Sequence, residues 1–151
     1  MATALVKIDI HMVFHVKSTS KTIRKEDIER VFAYIGGIIK SLGSIPMEIG
    51  GMPDHIHILA PLPKTMSVAE FAKVVKAKSS LWLKTIDSYY STFSWQEGYG
   101  AFSVSPTLIE KTVNYIRSQQ EHHKIRSFRE ECMKFAEAYN IPFDEKYMFV
   151  E

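Results

Sequence analysis

Four residues in this 151-residue chain have the types and spacing to do chemistry together: His55 and His57, separated by one residue, and Tyr115 and Gln119, four apart. On a β-strand, residues two apart point to the same face and lie roughly 6.5–7 Å apart, so two imidazoles so placed can converge on one metal ion. Two polar histidines on a solvated sheet face would show the same spacing. On a helix, residues four apart share a face, with Cβ atoms roughly 5–6 Å apart. A half-buried phenol beside a surface amide would fit that pattern as well as a functional pair does.

The elements that must position these residues follow from periodicity. Val6, Ile8, Ile10, Met12, Phe14 and Val16 alternate with Lys7, Asp9, His11, His15 and Lys17, which predicts a strand with one buried face. Ile28, Phe32, Ile35, Ile39 and Leu42 recur every three or four residues, a helix with one apolar stripe closed by Gly43. Ile45 to Ile49 reads as a short strand, Gly50-Gly51 and Pro53-Asp54 as turn chemistry, and His55 to Ala60 as the next strand. Ser67-Val-Ala-Glu70 is a capping box opening a helix to about Thr85. An aromatic and glycine-rich loop, Tyr89 to Gly100, precedes a strand at Ala101 to Ser105. Ser105-Pro106 starts a helix expected to reach about His122, and Ser127-Phe-Arg-Glu130 caps a last helix towards Tyr139. The predicted class is α+β: a ferredoxin-like βαββαβ antiparallel sheet, in the order four-one-three-two, with two additional C-terminal helices. That fold hosts many functions, so function has to come from the site.

Composition fits one soluble globular domain over residues 1–151, with 46% hydrophobic and 24% charged residues. No run approaches the roughly 18 apolar residues needed to span a membrane. The single cysteine, Cys132, excludes an intramolecular disulfide and makes a reduced, cytoplasmic setting the expectation. Net charge is only +2, but five lysines face two acids between Pro61 and Tyr90, and six basic residues face four acids between Thr107 and Lys134. Such a concentration suits phosphates, and suits a solvated helix face equally.

Taken together, the motifs reach a specific pattern. Pro53-Asp-His-Ile-His-Ile-Leu59, followed by Val113-Asn-Tyr-Ile-Arg-Ser-Gln-Gln-Glu-His-His-Lys124, resembles the single-tyrosine HUH transposases of the IS200-like insertion sequences and their repeat-associated relatives. The likeness also takes in His11-Met-Val-Phe-His-Val-Lys17, Trp95-Gln-Glu-Gly-Tyr-Gly-Ala-Phe-Ser103 and Ser127-Phe-Arg-Glu-Glu131. The resemblance implies an enzyme that cuts and rejoins single-stranded DNA at element ends beside hairpins. It implies that His55 and His57 bind a divalent metal, Mg²⁺ or Mn²⁺, with Gln119 as third ligand. It makes Tyr115 the nucleophile that forms a 5′-phosphotyrosine and releases a 3′-hydroxyl. It also implies a homodimer, in which the tyrosine acts in cis or in trans.

Physical logic agrees with those roles. Attack on a phosphodiester builds negative charge, which a cation offsets. A covalent intermediate stores the bond energy that rejoining needs. A free tyrosine has a pKa of about 10, so a proton acceptor is required, and the sequence does not identify it. On ligand softness alone, imidazoles favour Mn²⁺, Ni²⁺ or Zn²⁺ over Mg²⁺.

Candidate DNA contacts are Lys17, Lys73, Lys76, Lys78, Arg117, Lys124 and Arg126, with Lys84 as a further basic position on the second helix. Trp95 and Tyr99 sit in the loop, where stacking on an unpaired base is open to them. His122 and His123 are adjacent, and helical neighbours diverge by about 100°, so they are read as DNA-facing or structural. Two departures from the family pattern are the absence of an arginine between Ser18 and Lys21 and the presence of Ser118 where asparagine is common. The rival readings are a domesticated hairpin-binding protein that mobilises nothing and a small-molecule metalloenzyme built on the histidine pair.

Overall fold

The computed structural model describes residues 3–119 and 127–142. Four strands, β1 (Asp9–His15), β2 (Glu48–Met52), β3 (His55–Pro61) and β4 (Gly100–Ser103), form one antiparallel sheet in the order β2-β3-β1-β4. This is the predicted four-one-three-two arrangement read from the other edge. Four α-helices accompany it among the described residues: α1 (Ile28–Ser41), α2 (Val68–Ile86), α3 (Ile109–Arg117) and α4 (Phe128–Ala138).

The two central strands are buried on both faces, a point on which the sequence reading has to be corrected. Alternation in β1 predicted one polar, solvated side, yet every residue from Asp9 to Phe14 is buried. One face carries Ile10, Met12 and Phe14 from β1 with Ile56, Ile58 and Ala60 from β3. These pack beneath the apolar stripes of α1 (Val31, Ile35, Ile39) and α2 (Phe71, Val75, Leu83) and form the aliphatic core. The other face carries His11, His15, His55 and His57 and lies under α3 and α4. The polar residues that looked solvent-facing are therefore the floor of a second layer. Strand β1 is also shorter than the alternation suggested, because Val6 and Ile8 are about half exposed.

Local signals explain most element ends. Gly43, at φ +88°, closes α1 in the left-handed conformation that glycine adopts without penalty. Ser67 Oγ accepts the Glu70 backbone N–H at 3.0 Å, and Ser127 Oγ accepts that of Glu130 at 3.2 Å, so both predicted caps start α2 and α4.

The Gly50-Gly51 pair behaves differently from its prediction. Both glycines lie inside β2, and the tight turn falls on Pro53-Asp54. The reason is the approach of α3: a Cβ on Gly50 would stand 2.7 Å from the Ile116 carbonyl oxygen and 2.9 Å from its Cγ2. Gly51 adopts φ +151° and presses on the backbone of β3. Glycine is used here for clearance and not for turning. Helix α3 runs to Arg117, with Ser118 as its C-cap and its hydroxyl bonded to Asn114 O at 2.8 Å, and the predicted continuation to about His122 lies outside the described residues beyond Gln119. A serine that satisfies the preceding turn competes with helix continuation.

The end of β1 is fastened to the loop before β4. Gln96 receives His15 N–H at 2.8 Å on its side-chain oxygen and donates its own N–H to His15 O at 2.9 Å. That loop is tied in turn by Lys76, whose ammonium donates to the carbonyls of Gln96, Glu97 and Gly98 at 2.6, 3.1 and 3.0 Å.

Candidate metal and nucleophile centre

The β1–β3 register assembles the site's floor. His15 sits directly opposite His55 and Val13 opposite His57, so with His11 four imidazoles share one face of two adjacent strands. His57 Nδ1 lies 2.8 Å from His11 Nε2. Burial pushes the His11 pKa down to about 4, so its ring is neutral and can accept the His57 Nδ1–H. His55 Nδ1 lies 2.8 Å from Asp54 Oδ1, with His15 Nε2 3.5 Å from Oδ2 of the same carboxylate. Burial alone would raise the Asp54 carboxyl, but its hydrogen bonds with His15 and His55 outweigh that and hold it well below the usual carboxylate range. Both β3 histidines are thus anchored through Nδ1, which turns both Nε2 atoms towards the helices. This is the second-layer arrangement that orients metal-binding imidazoles.

Helices α3 and α4 close the site from above. Gln119, just past the end of α3, places Oε1 3.0 Å from His55 Nε2. The Tyr115 ring lies edge-on to His57 at 5.8 Å and to His11 at 6.2 Å between centroids. Its hydroxyl donates to Glu131 Oε1 on α4, and Gln119 Nε2 donates to the same oxygen at 3.2 Å. Glu131 Oε2 faces the floor, 3.9 Å from His55 Nε2 and 4.0 Å from His57 Nε2. One donor atom each from His55, His57 and Glu131 lie within 4.8 Å of one another. Two nitrogens and an oxygen so gathered fit a divalent first-row cation.

Aromatic rings fix α4 in place. Phe135 stacks on Phe102 of β4 at 4.8 Å, and Phe128 lies 4.7 Å from both His15 and His55. The Tyr139 hydroxyl donates to Ser103 O at 2.8 Å. Helix α3 is clamped at its far end by Arg117, which donates to Glu48 Oε2 at 2.7 and 3.0 Å.

The structure therefore brings His55, His57, Tyr115 and Gln119 into one cluster within one chain. It distributes the basic candidates otherwise. Lys76 spends its ammonium on three carbonyls, and Arg117 is engaged with Glu48. Lys73 and Lys78 are exposed on α2, across the sheet from the histidines, and Lys17 is half-buried beside Ser94. Lys124, Arg126, His122 and His123 lie outside the described residues. Trp95 is 7% exposed and donates to Ser79 Oγ at 3.0 Å, so it belongs to the core and offers no stacking platform. Tyr99 is exposed. Cys132 is half-buried, with burial raising its thiol to about 12. Sequence reasoning gave no role to Glu131, His11, His15 or Asp54. A signal existed for two of them: His11 and His15 stand an even number of residues apart on β1, hence on one face, but only the strand pairing shows that they share it with His55 and His57.

Comparison with known proteins places this arrangement. No curated protein matches the chain. A crystal structure of a candidate transposase from Deinococcus radiodurans R1 is similar, with TM-score 0.61, 18% identity, and 79% of this chain and 95% of that one covered. A REP-associated tyrosine transposase bound to a REP hairpin is also similar, with TM-score 0.60, 11% identity, and 82% and 73% covered. At those identities the likeness is one of fold. The family model described as "Transposase IS200 like" matches residues 4–119, the stretch that runs from before β1 to Gln119 and contains both histidines, the tyrosine and the glutamine. The chain belongs to the IS200-like transposase family.

Proposed function

We propose that this transposase cleaves and rejoins single-stranded DNA through Tyr115, using a divalent cation, Mg²⁺ or Mn²⁺, held at His55, His57 and Gln119, at DNA ends flanked by hairpins. The observation that carries the reading is the convergence of these four residues on one face of the sheet, with the phenol ring 5.8 Å from the His57 ring. The bound cation would offset the charge that grows on the phosphate's non-bridging oxygens. Every other part of the task falls to the chain itself.

Tyr115 supplies the oxygen. As its bond to phosphorus forms, the bond from phosphorus to the 3′-oxygen breaks, leaving a 5′-phosphotyrosine and a 3′-oxygen that takes a proton from solvent to become the 3′-hydroxyl. The phenol proton is directed at Glu131 and away from an arriving phosphate. Gly50 lets α3 sit low enough over β2 to bring the phenol to the floor, and the Arg117–Glu48 pair holds the helix there. Asp54 and His11 keep the β3 imidazoles aimed upward. Because Tyr115 is docked on the histidines of its own chain, the reading includes action in cis.

The direct experiment incubates the protein with end-labelled single-stranded hairpin DNA and Mg²⁺ or Mn²⁺ and looks for a covalent adduct on a denaturing gel. The expected result is an adduct with the wild type and none with Tyr115→Phe. An adduct that survives Tyr115→Phe removes the nucleophile from the proposal.

A further inference from the structure

A carboxylate buried to 3% exposure in the middle of the site is not accounted for by the roles of His55, His57, Gln119 and Tyr115. Glu131 lies on α4, beyond the residues 4–119 that the family model matches, so nothing in that match assigns it a task. Placing a carboxylate in such a position is costly unless a cation or strong hydrogen bonds compensate it. The chain nevertheless enforces the placement through the Ser127 cap, the Phe135–Phe102 stack and the Tyr139 hydroxyl on Ser103.

The two oxygens of this carboxylate have different surroundings. Oε1 takes the phenol O–H of Tyr115 and the amide N–H of Gln119. Oε2 is turned to the floor, nearly equidistant from the two Nε2 atoms at 3.9 and 4.0 Å. Neighbouring ligand atoms bound to a common first-row cation at about 2.1 Å stand about 3.0–3.4 Å apart, so Oε2 is within about 1 Å of ligand spacing from both Nε2 atoms. Two imidazoles and a carboxylate form a donor set that divalent metals use widely.

We propose that Glu131 is a direct donor to the cation of the His55–His57 centre, so that α4 completes the metal site with an anionic oxygen. The proposal rests on the histidine pair being the metal site, as read above. It also bears on metal choice. Imidazole and amide donors alone favour Zn²⁺ or Ni²⁺, whereas a carboxylate supplies the hard oxygen that suits Mn²⁺ and Mg²⁺. The Gln119 Nε2–H and the Tyr115 hydroxyl are then both tethered to a metal-bound carboxylate. Metal and nucleophile are coupled through one side chain.

The test is metal binding by the whole chain without DNA, measured by calorimetry with MnCl₂ and with ZnCl₂, so that catalysis does not enter the readout. Glu131→Gln keeps the shape and removes the anionic oxygen. The expected result is Mn²⁺ affinity weakened by about tenfold or more and Zn²⁺ affinity weakened by no more than about threefold, with an unchanged melting temperature in EDTA. If Glu131→Gln does not fold, Glu131→Asp keeps the charge but draws the oxygen back by roughly 1.5 Å, one carbon–carbon bond, and is expected to lose Mn²⁺ affinity in the same direction. Wild-type Mn²⁺ affinity in either folded variant overturns the proposal. His57→Ala separates the two readings. Loss of Mn²⁺ binding there, with binding intact in Glu131→Gln, refutes only the role of Glu131. A wild type that binds no Mn²⁺ refutes the histidine centre as well.

Discussion

Adding a single methyl group at Gly50 should disturb the site from beneath. The new Cβ would stand 2.7 Å from Ile116 O and 2.9 Å from Ile116 Cγ2, and the first of these is backbone, which cannot rotate away. Ordinary contact distances require α3 to retreat by roughly 0.7 Å, and overpacking of this kind costs about 1–3 kcal/mol. Tyr115 is one residue before Ile116 and moves with it. A displacement approaching 1 Å at a reacting group can cost about 10²-fold in rate. Gly50→Ala is therefore expected to lower the melting temperature by about 2–4 °C per kcal/mol lost, and to slow adduct formation on labelled hairpin DNA by about 10²-fold. Gly37→Ala is the matched control. It lies on the open side of α1 with nothing within 4 Å of the new methyl group, and it should stabilise the helix by about 0.5–1 kcal/mol with no change in adduct rate. A Gly50→Ala protein with the melting temperature and adduct rate of the wild type would refute the claim that clearance at this position seats the nucleophile.

Three other outcomes are expected. Docking of Tyr115 on its own chain's histidines means that an equimolar mixture of Tyr115→Phe and His57→Ala proteins yields no adduct, and restored activity in the mixture would show the tyrosine serving a neighbour. His11 takes up its proton at about pH 4 in the folded chain and near 6.5 in the unfolded one, so the unfolded state binds more protons in between. The stability this contributes is complete above pH 6.5 and drains as pH falls towards 4. Urea melts at pH 7 and pH 5 should show the wild type losing about 2 kcal/mol more than His11→Gln, and equal losses would contradict the burial argument. Lys76→Met removes a charged donor from three carbonyls and should cost about 1–3 kcal/mol, while leaving the salt dependence of DNA binding unchanged; a reduced salt slope would place Lys76 on the phosphates instead.

The strand order and most helix starts were legible in the sequence because they depend on local chemistry: alternation in β1, the stripe of α1, the serine caps of α2 and α4. The convergence of His55, His57, Tyr115 and Gln119 was legible through motif order. What could not be read depends on which surfaces meet. The imidazoles of β1 looked like a polar exterior because nothing in an alternating strand says that a second helical layer will cover it. Gly50 and Gly51 looked like a turn because glycine's use as clearance is visible only once α3 lies above β2. Glu131 stood within a quoted motif, yet in isolation it is an ordinary acidic residue in the first turn of a helix. Lys76 looked like a phosphate ligand because lysine on a helix exterior usually is free, and only the fold of the 94–99 loop brings three carbonyls to it.

The pairing of β1 with β3 has a consequence for how this family member can go wrong. Side chains on a strand alternate strictly, so sliding one strand by a single position would turn its imidazoles into the oily layer and its aliphatics onto the helices above. A slip of one position therefore costs the packing and the chemistry together.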